Sequence, residues 1–200
     1  MNLDFNHIHL NLPDDLQKLV HQPDDPANAV MLKKETAQAE ILIQVQPVSG
    51  DRLMPFDDPQ AIVDAIHASA TERQGLIEVD AGYTSSGKDF VYSIVKSRQS
   101  STGMVYILTL QILEKAGTDT AMEIQGWFRE TGSTGARDAL VHDQWAAEEN
   151  AGPWFEDPYD PDFKEGLLMN QSESEAFDNF FPLHPLSETR RLINALADTN

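Results

Sequence analysis

Four strand-like runs follow one another between Leu76 and Glu130, and the links between them are too short for anything but antiparallel neighbours. The runs are Leu76 to Thr84, Asp89 to Arg98, Met104 to Lys115 and Ala121 to Glu130, the last after the turn Ala116-Gly117-Thr118-Asp119. A parallel pairing needs a crossover of a dozen residues or more, whereas these connections are short and carry Gly and Ser. Within 104–113, Tyr106, Leu108, Leu110 and Ile112 alternate with Val105, Ile107, Thr109 and Gln111, the period of a strand. Both faces are largely apolar at its start, which places this strand inside a sheet.

Upstream, Phe5 to Leu12 also alternates, with Ile8, Leu10 and Leu12 on one side and His7, His9 and Asn11 on the other. Pro13-Asp14-Asp15 ends it. Further strands are expected over Ala29 to Glu35 and Glu40 to Val48. The period then changes. Asp58 can cap a helix opening on Pro59, where a missing N–H costs nothing, and Ile62, Val63, Ile66 and Ala70 follow at helical spacing up to Arg73 and Gly75. A second helix is expected from a Ser133 or Thr134 cap to about Glu149, with Leu140, Val141 and Trp145 facing inward. Residues 1–150 therefore read as an α+β domain: an antiparallel sheet of at least five strands with the helices near 59–73 and 135–149 packed against it.

Gly152-Pro153 opens a different region, an acidic C-terminal extension over residues 151–200. It holds Trp154, Phe155, Tyr159, Phe163, Phe177, Phe180 and Phe181, too many aromatics for a solvated tail. Short helices are expected after a Ser172-x-x-Glu175 capping box and after Ser187, the latter carrying Leu192, Ile193 and Leu196. The extension is expected to dock on the domain, with Trp154 and Phe155 as its first anchor.

The element order of residues 1–150 resembles the PsbP-like superfamily, the fold of the photosystem extrinsic subunit, of a Ran-binding nuclear import factor and of many small bacterial proteins. The resemblance is carried by the early HIHLNLP strand, by EILIQVQPV and by the helix DPQAIVDAIHASA. It continues through the meander GLIEVDAGYT, KDFVYSIVKSR and GMVYILTLQILEK and a closing helix around ALVHDQWAA. It implies a binder, chaperone-like adaptor or assembly factor and supplies no catalytic residues. The extension lies outside the family's usual domain.

Charge narrows the partners. With 14 basic against 33 acidic residues the formal charge is −19, so phosphate-rich nucleic acid and anionic membrane are expected to be repelled. A protein or peptide partner carrying a basic patch suits this field. Cysteine is absent, which excludes disulfides, thiolate metal sites and cysteine nucleophiles. The start of the chain has neither a basic n-region nor an apolar h-region, and no apolar run is long enough to span a bilayer, so the expected location is cytoplasmic.

Candidate chemistry is sparse. Gly82-Tyr-Thr-Ser-Ser-Gly87-Lys88 spells most of a phosphate-binding loop, but Asp89 stands where the chemistry needs Ser or Thr, and a strand follows in place of a helix. It reads as a hairpin loop. His7 and His9 share a strand face, yet two ligands are too few for a metal site. The acidic run Glu156, Asp157, Asp160, Asp162 and Glu165 lacks the order and central glycine of a calcium loop. No metal and no cofactor is expected. Trp154, Phe155 and Tyr159 form the one candidate binding patch: either an anchor for the extension, which the composition favours, or a contact surface for a partner. The expected function is a non-catalytic protein- or peptide-binding adaptor presenting a sheet face or a helix-flanked groove. The alternative is a small hydrolase using carboxylates and His in a cleft. A deep pocket joining a His to perturbed carboxylates would favour the second, a shallow apolar groove the first.

Overall fold

The alternation between Leu76 and Glu130 becomes one side of a seven-stranded antiparallel sheet in a computed structural model that describes residues 1–5, 8–99, 103–114, 119–148 and 152–200. In chain order the strands are β1 (Asn2–Phe5), β2 (Ile8–Asn11), β3 (Gln17–Lys18), β4 (Val30–Glu35), β5 (Ala39–Ser49), β6 (Gln74–Tyr83), β7 (Asp89–Gln99), β8 (Gly103–Leu113), β9 (Thr120–Glu130), β10 (Phe155–Glu156) and β11 (Met169–Asn170). The helices are α1 (Pro59–Ala68), α2 (Ala136–Trp145) and α3 (Pro185–Thr199). The main sheet runs β3-β4-β5-β9-β8-β7-β6, while β1-β2 and β10-β11 form separate two-stranded ribbons. The fold is α+β.

The meander β6-β7-β8-β9 is local, but β9 closes against β5, in register from Ala39 opposite Glu130 to Ser49 opposite Thr120. Of the single strand expected over 5–12, Ile8–Asn11 forms β2, which pairs antiparallel with β1, Asn2 opposite Asn11 and Leu3 opposite Leu10. His7 lies outside the described residues, as does the 116–118 part of the turn before β9. Alternation splits the strands between two faces. One face carries Ile41, Ile43 and Val45 of β5, Leu108 and Leu110 of β8, and Ile124 and Phe128 of β9. It is covered by Leu186, Leu192, Ile193 and Leu196 of α3 and by Leu3 and Leu10 of the hairpin. The other face is covered only in part. There α1 lays Ile62 and Val63 on Leu76, Val79 and Val91, and Leu53 and Phe56 pack near Val48, Leu113 and Ala121.

α1 starts as read: the Asp58 carboxylate accepts from the Ala61 amide at 3.2 Å, with Pro59 in the first turn. It ends earlier, at Ala68, where the Ser69 hydroxyl donates back to the Ala65 and Ile66 carbonyls. α2 departs further from expectation. Neither Ser133 nor Thr134 caps it; Gly135 does, with φ of 73°, and its amide donates to the Glu130 carboxylate at 2.7 Å. Only Arg137 and Val141 are buried on it, and Leu140 is exposed, because the helix has no apolar stripe and packs chiefly on the turn at 171–173 rather than on the sheet.

α3 also differs. It starts two residues before Ser187, on Pro185, with His184 as N-cap, and is fifteen residues long. The expected capping box at Ser172 and Glu175 is replaced by one at Asn170 and Glu173. Leu192, Ile193 and Leu196 are buried as read, so α3 shares the main core with the sheet. The hairpin loop at 84–88 serves this helix: the Ser85 and Ser86 amides donate to the Ala197 and Asn200 carbonyls at 2.7 and 3.0 Å. Amides that a phosphate-binding loop would aim at phosphate are spent on a helix C-terminus. Among the described residues no helix is long and apolar enough to cross a membrane.

Candidate functional site

A buried polar network ties α2, α3 and the turns at 171–178 to the sheet. Arg137, 1% exposed, donates from Nε to the Ser172 carbonyl at 2.6 Å and from its two amino groups to Asp178, Ser187 and the Ser174 carbonyl, each at 3.0 Å. Arg190 donates to Glu78 at 2.7 Å, to both Asp178 oxygens and to the Glu173 carbonyl. Lys96 of β7 donates to Glu173 at 2.6 Å, and the Tyr106 hydroxyl donates to the other Glu173 oxygen at 3.0 Å. Burial, then the Glu173 charge, hold the Tyr106 hydroxyl well above its ordinary pKa. These groups hold elements together rather than await a ligand.

One side of the network opens into a crevice of about 310 Å³, lined among others by Arg98, Met104, Tyr106, Glu130, Asp138 and His184. Burial, reinforced by the Arg137 and Arg190 charges, pushes the His184 imidazole down to about 3. Burial raises the Glu130 carboxyl, and Asp138 adds to this while the Gly135 and Met104 amides offset part of it. His184 Nε2 lies 3.9 Å from Glu130 Oε1, too far for a hydrogen bond.

A second concavity, about 500 Å³, lies on the partly covered face of the sheet. Strand register places Leu42 opposite Trp127 and Trp127 opposite Ile107, an apolar row across three strands. The row is flanked on one side by Gln44, Gln125 and Thr109, and on the other by Glu40, Arg129 and Val105. Leu42, Trp127 and Ile107 are half-buried. Arg129 donates to Glu40 at 3.1 Å, so the rim's charges largely neutralise each other.

A third cavity, about 130 Å³, sits between α1 and the segment 157–168. Its His67 is stacked on Phe163 at 4.0 Å and bonded to buried Asp157 at 3.0 Å. Ser69, also on its wall, donates its hydroxyl into its own helix.

The sequence-read residues separate. Trp154 packs against Trp145 and His142 of α2, at ring separations of 5.3 and 4.8 Å. Phe155 touches Trp154 but stays 56% exposed, so it is a poor anchor; the apolar residues of α3 fasten the extension. Tyr159 bonds to Val79 on the β6 edge. In the acidic run, Asp157 accepts from the Tyr159 and Asp160 amides at 2.9 Å, a turn cap. His9 is bonded to Asp4, and among the described residues no group of three His, Asp or Glu side chains is placed to hold a metal. The crevice pair Glu130 and His184 and the Trp127 row escaped the sequence reading. Only the alternation in β9 carried a signal, since it sets Trp127 on the face opposite Phe128.

The chain therefore defines an α+β protein whose antiparallel sheet has one face covered and the other partly open. No protein-family model matches it, and no curated protein sequence is significantly similar. Among solved structures it is similar to PA94, a Pseudomonas aeruginosa protein of unknown function, at 12% identity and a TM-score of 0.35, over 76% of this chain and 97% of the other.

Proposed function

We propose that the chain is a non-catalytic binding or adaptor protein that receives a protein or peptide segment on the open part of its sheet. The observation that carries this reading is the apolar row Leu42, Trp127 and Ile107, flanked by the polar row Gln44, Gln125 and Thr109 and, on the other side, by the Glu40–Arg129 pair. Such a stripe suits a segment with a narrow apolar side and polar flanks, and Trp is favoured where binding energy concentrates. The reading agrees with what the PsbP-like resemblance of residues 1–150 implies. The charge of −19 favours a basic partner, whose association slows as salt rises past about 0.15 M.

The hydrolase reading draws on the meeting of His184 and Glu130 in one crevice. A His with a pKa near 3 is a weak base at neutral pH, which weighs against it in that role. At His67, the Ser69 hydroxyl is turned into its own helix.

Photo-crosslinking tests the adaptor reading. A photoreactive residue replacing Gln125 should give one discrete adduct in native cells, and one replacing the exposed Tyr83 should not. Leu42→Asp or Trp127→Ala should abolish the adduct while the chain remains folded by circular dichroism. Equal labelling from both positions, or an adduct that survives both substitutions, would overturn the reading.

A further inference from the structure

We infer that the crevice between β8, β9, α2 and the start of α3 is a second ligand site, fitted to a small neutral molecule that carries a primary carboxamide. The inference is independent of the open sheet face.

The orientation of the His184 ring sets the donor half of the site. His184 Nδ1 accepts from the Leu186 amide at 3.3 Å and faces Arg137 Nη1 at 3.4 Å. Two donors on that nitrogen leave the ring proton on Nε2. The Nε2 edge faces Glu130 across the crevice, and the side chain is 7% exposed. No described residue accepts a hydrogen bond from it. Elsewhere in the network the arginine, lysine and tyrosine donors bond to protein groups, whereas this N–H opens onto the crevice.

The second half is an acceptor held in place. Glu130 Oε1 accepts from the Gly135 amide at 2.7 Å, which fixes the carboxyl beside the donor. A fixed donor and a fixed acceptor 3.9 Å apart ask for a group offering an acceptor and a donor side by side. A primary carboxamide does so: its C=O accepts from His184 and its N–H donates to Glu130. A carboxylate would set its charge against Glu130 and Asp138. An ammonium would leave the His184 proton without an acceptor. Arg98 at the mouth is exposed, so its charge is screened by solvent and does not reverse this preference. The volume, about 310 Å³, is at the small end of ligand pockets.

Three benzene-ring probes test the site on the full, unmodified chain: benzamide, benzoate and benzylamine, titrated while the ring nitrogens of 15N-labelled His184 are followed by NMR. Benzamide should shift Nε2 and bind about tenfold or more tighter than either analogue, because a site built around a donor–acceptor pair penalises a ligand lacking one half. Glu130→Met should remove the preference, whereas Glu130→Gln, which keeps an acceptor, should retain much of it. If neither variant folds, the ranking on the unmodified chain still decides. Three probes that bind alike, benzoate or benzylamine ranking first, or a His184 resonance that none of them moves would overturn the assignment and leave a crevice holding water only.

Discussion

The Tyr159 hydroxyl closes the outer edge of the sheet at a single residue: it accepts from the Val79 amide at 2.5 Å and donates to the Val79 carbonyl at 2.8 Å. β6 is an edge strand, and its free backbone groups would otherwise template pairing with another chain. Nearby, the Leu167 amide donates to the Gln74 carbonyl at 2.8 Å, so the segment 157–168 acts as a strap along that edge.

Removing only the hydroxyl isolates this contact. Tyr159→Phe should cost about 1 kcal/mol, lower the melting temperature by about 2–4 °C, and speed hydrogen exchange at the Val79 amide. Exchange at Val79 that matches the parent protein would show that the edge is protected by something else.

The strap also depends on a residue without a side chain. A Cβ at Gly75 would lie 1.5 Å from the Leu167 carbonyl oxygen, so Gly75→Ala forces the two backbones apart. We expect a loss of about 3 kcal/mol and new protease cleavage within 157–168. A variant as stable and as resistant as the parent would mean that the two backbones do not approach so closely.

Lys96 and Glu173 are 3% and 2% exposed as side chains, and their pairing holds the 171–173 turn on β7. Lys96→Met should cost about 3–5 kcal/mol in urea unfolding, since it strands a buried carboxylate. Combining it with Glu173→Gln should recover part of the loss, because no unpaired charge remains. Additive losses would show that the two side chains act independently.

His184 predicts an acid limb in stability. Its folded pKa, about 3, is below the ordinary 6.5, so protons bind the unfolded chain preferentially. The stability it contributes is full above pH 6.5 and lost as pH falls from 6.5 towards 3, up to about 4–5 kcal/mol at ~1.36 kcal/mol per pH unit. Glu130 acts in the opposite sense, because its raised pKa gives stability that is full below the ordinary 4.5 and declines as pH rises through the folded value. His184→Asn keeps a helix cap and should flatten the limb between pH 6.5 and 3 in urea titrations. A limb of unchanged slope would assign the effect to other groups.

The sequence by itself determined whatever depends on residues a few positions apart. Alternation over 104–113 specifies a strand and its two faces, and Asp58-Pro59 specifies a helix start, because a carboxylate and the amide it caps lie within one turn. The short links after β6, β7 and β8 dictate the antiparallel order of β6 to β9. Only the tertiary structure decided the rest. The closure of β9 on β5 depends on which strand edges meet once α3 and the β1-β2 ribbon cover one face, which no local period encodes. Ser187 looked like a cap, yet its hydroxyl is drawn into the Arg137 and Asp178 network, so His184 takes that place. Phe155 looked like an anchor, but the apolar stripe of α3 buries more continuous surface against the sheet and does the fastening. His184 and Glu130 face each other only because α3 packs beside the end of β9. Contacts between distant residues are set by the total area and polarity that packing can bury, a property of the whole chain and not of any window within it.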